Sequence, residues 1–313
     1  MGFYVASAEL GRVGETVVAS TLAEFRSQGL EPDRFAMSLL LHPGKLTLGD
    51  PPLEAPVGFG YRSAEPFYPC SVVKLFYLVA AQARLAEGAI QFHEALDLAM
   101  RDMMLYSSNT ATNYVIDLVT GTTGDTLLDE AALGDWSHRR QWVNRYFAGL
   151  GWPELSSINV SQKLMDDVRY GRERQLLGPA GQNHNRLTTD ATARLIYELF
   201  RGRVVDPEHS WAVLDYLRRP LDPEWVAAEP LAQVTGFFGE PMPTGTRLWS
   251  KSGWSGWLRD PISSWGRHDA AYCEPPSGPA FTLVAFTQGK TISQNFRCLP
   301  FIAASVLQEL ARL

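Results

Sequence analysis

Lysine is scarce in this chain. Of its 28 basic residues only five are lysines, Lys45, Lys74, Lys163, Lys251 and Lys290, and arginine carries the rest of the positive charge. No basic run occurs, aromatics are not interleaved with Lys and Arg, and the formal net charge is -6, which together exclude a nucleic-acid partner. Apolar runs are far too short to span a bilayer, so no transmembrane segment is expected. The three cysteines, Cys70, Cys273 and Cys298, are too few for a disulfide framework and too widely spaced for a zinc motif, so buried free thiols are expected. Six scattered histidines form no HExxH or similar cluster; neither a metal nor a cofactor is expected. The opening residues, MGFYVASAELGRVGE, lack the basic and apolar regions of a secretory leader. Ala6 stands where a myristoylation signal needs Ser or Thr, and the chain as written reads as cytoplasmic.

What is present is ample material for a core, 45% hydrophobic residues in 313. Apolar side chains at helical spacing fill 10–28. RFAMSLLL (34–41) predicts a strand, HPGKLTLGDPP (42–52) a turn-rich connection and VGFGYR (57–62) a second strand. The next periodic segments are helical: 71–87, 92–100, 107–119, 138–149, 190–201 and 207–218. Residues 151–186 are Gly-rich and polar, as in a long functional loop. Strands return at 246–253, 256–265, 267–274 and 280–289, followed by a helix over 294–312.

The fold class is therefore α/β (α+β): a central antiparallel sheet drawn from both chain ends, covered by the terminal helices, with an inserted all-helical lobe. We expect a single domain, 1–313, of two lobes. One lobe spans 1–66 and 220–313; the other spans 67–219 and includes an extended loop region over 151–189. A cleft between lobes is where a site would form. No pattern sets an oligomeric state.

The stretch YPCSVVKLF (68–76) puts Lys74 in an apolar helical run, three positions after Ser71. On a helix those positions share a face. A serine hydroxyl is a poor nucleophile until a base takes its proton, and a lysine is such a base only when burial or a nearby cation lowers its pKa. A helix cap at Ser71 and a snorkelling Lys74 account for the same residues. Lysine scarcity weighs toward chemistry, because arginine keeps its proton and lysine can lose it.

Two further motifs follow. YSSNTATNYVIDLV (106–119) sets Ser107 and Asn109 at a helix start, where both also suit capping. WSKSGWSGW (249–257) sets Lys251, Ser252 and Gly253 late in a strand, where the glycine admits another backbone and the lysine equally protects an edge. Together, S-x-x-K, S-x-N and K-S-G resemble the serine β-lactamase and penicillin-binding protein superfamily, class A enzymes in particular. The strand, helical insert, strand order matches as well.

The resemblance implies a small-molecule β-lactam or peptide-like amide substrate. Ser71 would become acylated, Lys74 would take its proton, and Ser107 would relay a proton to the leaving nitrogen. Asn109 would bind a substrate amide, and Lys251, with Ser252 and Gly253, would meet its carboxylate. The N–H groups of Ser71 and Trp254 would form the oxyanion hole. A periplasmic or secreted location is implied too. The central motif departs from the usual Ser-Asp-Asn by having Ser108, and the segment that follows is longer than in class A. In ERQLL (173–177), Glu173 stands at the spacing before Thr188 and Thr189 expected of the deacylating base; a solvated glutamate at a helix end fits equally. Leu177 replaces the asparagine that would help place water, which implies weak or narrow β-lactam hydrolysis. Asp166 and Asp167 are the next candidates for the base. A D-Ala-D-Ala peptidase, an esterase, a glutaminase-type amidase or a sensor that acylates and stops are the alternatives.

Overall fold

The computed structural model describes residues 2–46 and 54–313; the turn-rich connection expected over 42–52 passes out of these residues at 47. Strand β1 (Val5–Ala6) leads into helix α1 (Ala8–Phe25), then strands β2 (Phe35–Leu41) and β3 (Val57–Tyr61). The helical middle comprises α2 (Val73–Ala86), α3 (Glu94–Leu105), α4 (Asn109–Thr120), α5 (Glu130–Arg140), α6 (Trp142–Gly149), α7 (Gly171–Leu177), α8 (Thr189–Phe200) and α9 (Pro207–Leu217). After the short strand β4 (Arg218–Arg219) and helix α10 (Pro223–Ala228) come β5 (Arg247–Trp254), β6 (Gly266–Glu274) and β7 (Phe281–Gln288), then α11 (Lys290–Ser293) and α12 (Cys298–Leu310).

The seven strands form one sheet in the order β1-β3-β2-β7-β6-β5-β4. All neighbours are antiparallel except β1 and β3. Both chain ends thus build the sheet, joined where Leu39 of β2 faces Leu283 of β7. Alternation along a strand sends successive side chains to opposite faces. Phe281, Leu283 and Ala285 enter a core shared with α1 and α12, whereas Val284 and Phe286 enter the core of the helical middle.

The segment GWLRDPISSW (256–265) is no strand. Pro261 has no N–H for a ladder, and Arg259 and Trp265 adopt left-handed backbone with φ of 58° and 67°. It loops out beside the end of β5. Helix α2 is buried on every side over Val73–Ala83, Lys74 and Gln82 included, and forms the axis of the helical middle. The cysteines are free and buried. Among the described residues no helix is long and apolar enough to cross a membrane.

Candidate active site

Ser71 sits in a 3-10 turn, Cys70–Val72, that feeds α2. Helix α2 then carries Lys74 into the core, where it is 0% exposed. The amine donates to Ser107 O at 2.5 Å, Asn109 Oδ1 at 2.8 Å and Ser107 Oγ at 3.2 Å. Ser71 is not among these partners; it lines the same cleft as Ser107 and Asn109, to which the amine is bonded. Burial pulls the Lys74 pKa down to about 7, with the Asp166 carboxylate opposing the shift. A lysine in that state is a proton acceptor near neutrality.

Ser107 does not cap α4. Ser108 does, accepting from Ala111 N at 3.1 Å. Ser107 is left in a left-handed conformation, φ 58°, which costs a non-glycine residue about 1 kcal/mol or more and marks a position held for another purpose. Its hydroxyl lies between the two lysines: Lys251 Nζ donates to it at 3.0 Å from the side opposite Lys74. Lys251 is also 0% exposed. Burial lowers its pKa strongly, helped by the neighbouring charges of Lys74 and Arg219 and opposed by Asp269.

Gly253 is where β5 touches the nucleophile turn. A Cβ there would lie 2.8 Å from Ser71 N and 3.0 Å from Pro69 O, both backbone atoms that cannot yield cheaply. The close approach sets the backbone of Gly253 and Trp254 beside Ser71. The Trp254 indole donates to Ser293 O at 2.7 Å, which pins the ring at the mouth of the cleft. Ser252 points to the other face of the strand. Its hydroxyl bonds Asp269 Oδ1 at 3.1 Å, and Asp269 accepts from the N–H groups of Phe238 and Ala270, each at 2.9 Å. The structure therefore gives Ser252 a place in the support of β5 and not on the cleft.

The cleft itself encloses about 500 Å³. Ser71, Ser107, Asn109, Asp166, Gln233 and Trp254 are on its wall, with Tyr68, Tyr106 and Trp257 as aromatic neighbours. A depression of about 470 Å³ beside Asp97, Tyr216 and Trp225 holds none of the motif residues.

Glu173 does not reach this cleft. It is 2% exposed, and Arg140 grips both its oxygens, Nη1 to Oε2 at 2.9 Å and Nη2 to Oε1 at 2.8 Å. Lys163 and Asp117 complete the cluster, paired at 2.6 Å. Neither reading of Glu173 from the sequence is met: it is neither free to activate a water nor solvated. Leu177, expected to leave a cleft water poorly placed, is buried on the same helix beside Glu173. The carboxylate that does face Ser71's cleft is Asp166, which accepts from Asn109 Nδ2 at 2.6 Å. The long segment after α4 explains the shift. It contributes Arg140 from α5, stacked over Trp136 at 4.5 Å, and so turns Glu173 into an anchor.

Two residues of the site carry no local signal in the sequence. Gln233 lies in a loop remote from every motif, and Arg219 is one of a pair at the end of α9. Arg219 is buried behind Lys251 and donates to Met104 O.

The beta-lactamase enzyme family model matches residues 95–309. No curated protein sequence matches significantly. Among solved structures, a β-lactamase from Sphaerobacter thermophilus is 18% identical, with a TM-score of 0.65 over 95% of this chain and 98% of that one. A β-lactamase from Xanthomonas campestris pv. campestris is 17% identical, with a TM-score of 0.61 over 96% and 98%. A PBP-A mutant in an acyl-enzyme complex with penicillin G is 15% identical, with a TM-score of 0.61 over 96% and 97%. The fold is theirs, and with the family match over most of its length the chain belongs to the beta-lactamase enzyme family.

Proposed function

We propose that the chain is a serine hydrolase that opens β-lactams through an acyl-enzyme on Ser71. One observation carries this reading: two buried lysines converge on the hydroxyl of Ser107 at 3.2 and 3.0 Å, on the wall of the cleft that holds Ser71. An ammonium has three N–H donors for the three acceptors around Lys74. The neutral amine has two, which frees its lone pair to take the proton of Ser71.

Ser71 Oγ attacks the amide carbonyl as its proton moves to Lys74 Nζ. The N–H groups of Ser71 and Trp254 stabilise the oxyanion. On collapse the C–N bond breaks, the nitrogen takes the Ser107 proton, and Lys74 restores it. Water then adds to the ester, giving a proton to Asp166; the ester bond breaks and Ser71 Oγ takes that proton back. Asp166 suits this step because it is solvent-exposed on the cleft wall and oriented by Asn109.

Incubation with benzylpenicillin, read by intact mass and peptide mapping, tests the scheme. An adduct on Ser71 is expected, absent in Ser71→Ala and persistent in Asp166→Asn. Turnover in Ser71→Ala, or an adduct on another residue, sinks the reading. Normal turnover in Asp166→Asn removes Asp166 from it.

A further inference from the structure

Among the described residues, the cleft has no cation on its wall, and Asp166 is the only charged one that lines it. The lysine of the K-S-G motif is present but covered. Lys251 Nζ has three acceptors around it, Ser252 O at 2.8 Å, Ser107 Oγ at 3.0 Å and Gln233 Oε1 at 3.1 Å, as many as even an ammonium can serve. Of these partners, Ser107 and Gln233 are the two that reach the cleft surface. Gln233 is held there by its backbone, left-handed at φ 59°, with its carbonyl within 3.5 Å of the Ser252 hydroxyl.

We propose that Gln233 is a specificity residue. Its carboxamide oxygen occupies the place beside Lys251 where a substrate's carboxylate would sit, and the strand side of the cleft thereby selects acyl donors with an uncharged acceptor there. This rests on the acyl-enzyme reading above. Three observations agree. The carboxamide oxygen already satisfies the amine, so a carboxylate must displace it to gain the contact. A substrate anion would enter a cleft whose one charged wall group is the Asp166 carboxylate, and like charges repel. The other cations near Lys251 are covered as well: Lys74 is 0% exposed with its donors on Ser107 and Asn109, and Arg219 is buried with its Nη2 engaged on Met104 O. With Oε1 turned to Lys251, the amide Nε2 of Gln233 remains as a neutral donor. It suits a carbonyl or ester oxygen, so the favoured substrate class is neutral lactams, esters or amides.

The matched pair of benzylpenicillin and its methyl ester tests this, with Ser71 acylation rates followed by intact mass. The parent protein is expected to prefer the ester by about tenfold, and Gln233→Ala to shift the ratio toward the free acid by a similar factor, the scale of one charge-assisted hydrogen bond. A parent that prefers the free acid, or an unchanged ratio in Gln233→Ala, overturns the proposal. A second arm needs no turnover: acetic anhydride labelling of lysines, mapped by peptide mass. Lys251 should be protected in the parent and labelled in Gln233→Ala; equal labelling in both also overturns it. If neither lactam acylates Ser71, the acyl-enzyme reading fails, while the labelling still decides whether Gln233 covers Lys251.

Discussion

In the proposed scheme Lys74 ties catalysis to stability. Its pKa lies near 7 in the folded chain and near 10.5 once exposed. Between those values the unfolded chain binds more protons, so stability rises with pH across that window, and the cost of burying the charge is fully present below it. Lys251 acts in the same direction. Lys74→Met should therefore raise the unfolding midpoint at pH 6, on the order of 1 kcal/mol or more, while abolishing acylation. In the parent, acylation should rise with pH through about 7 and then level; Asp166→Asn, which removes a cause that holds the pKa up, should move that rise to lower pH. A flat profile from pH 6 to 9 would remove Lys74 as the base. The scarcity of lysine made Lys74 and Lys251 legible in the sequence, since each sits where arginine would not serve. The carboxylate proposed for deacylation was harder to read. Counting back from Thr188 favoured Glu173, but a count along the chain does not register that Arg140 has claimed it.

At the scale of elements, the Arg140–Glu173 pair fastens α7 to α5 and so steadies the segment that carries Asp166. Both side chains are almost wholly buried. Removing one leaves the other buried with only a longer contact to an opposite charge, Glu173 to Lys163 at 3.9 Å or Arg140 to Asp117 at 3.7 Å. Arg140→Met alone should cost about 3–5 kcal/mol, whereas Arg140→Met with Glu173→Leu should recover most of it. Urea denaturation of the three proteins measures this, and additive losses in the double variant would contradict the pairing. Glu173→Gln should lower stability without trapping an acyl adduct, which separates it from Asp166→Asn. Most elements were legible because their periods are strong, as in α2 and β7. Weakly periodic segments were not: the helix expected over 138–149 is two, α5 from Glu130 and α6 from Trp142, α7 lies in the stretch read as a loop, and α10 was not expected. Segment 256–265, with strand-like aromatic content, is a loop. Its Asp-Pro step and left-handed Arg259 break the ladder, and only the first of these is written in the sequence.

For the molecule as a whole, the sheet is a joint between the chain's two ends, and α12 is its cover. Leu299, Ile302, Ala303 and Val306 of that helix are fully buried on the sheet face shared with α1. Deleting residues 295–313 would bare that core, and soluble expression should be lost; a soluble, active truncation would mean that α1 alone covers the sheet. The order of strands also has a consequence for biosynthesis. Strand β2 leaves the ribosome early, but its partner β7 begins at Phe281. At about 5–20 residues per second, β2 waits on the order of tens of seconds for the strand that completes its hydrogen bonds. During that interval FAMSLLL is an apolar strand with an open edge. Slower translation would lengthen the exposure of that edge, which is open to pairing with other chains until β7 arrives.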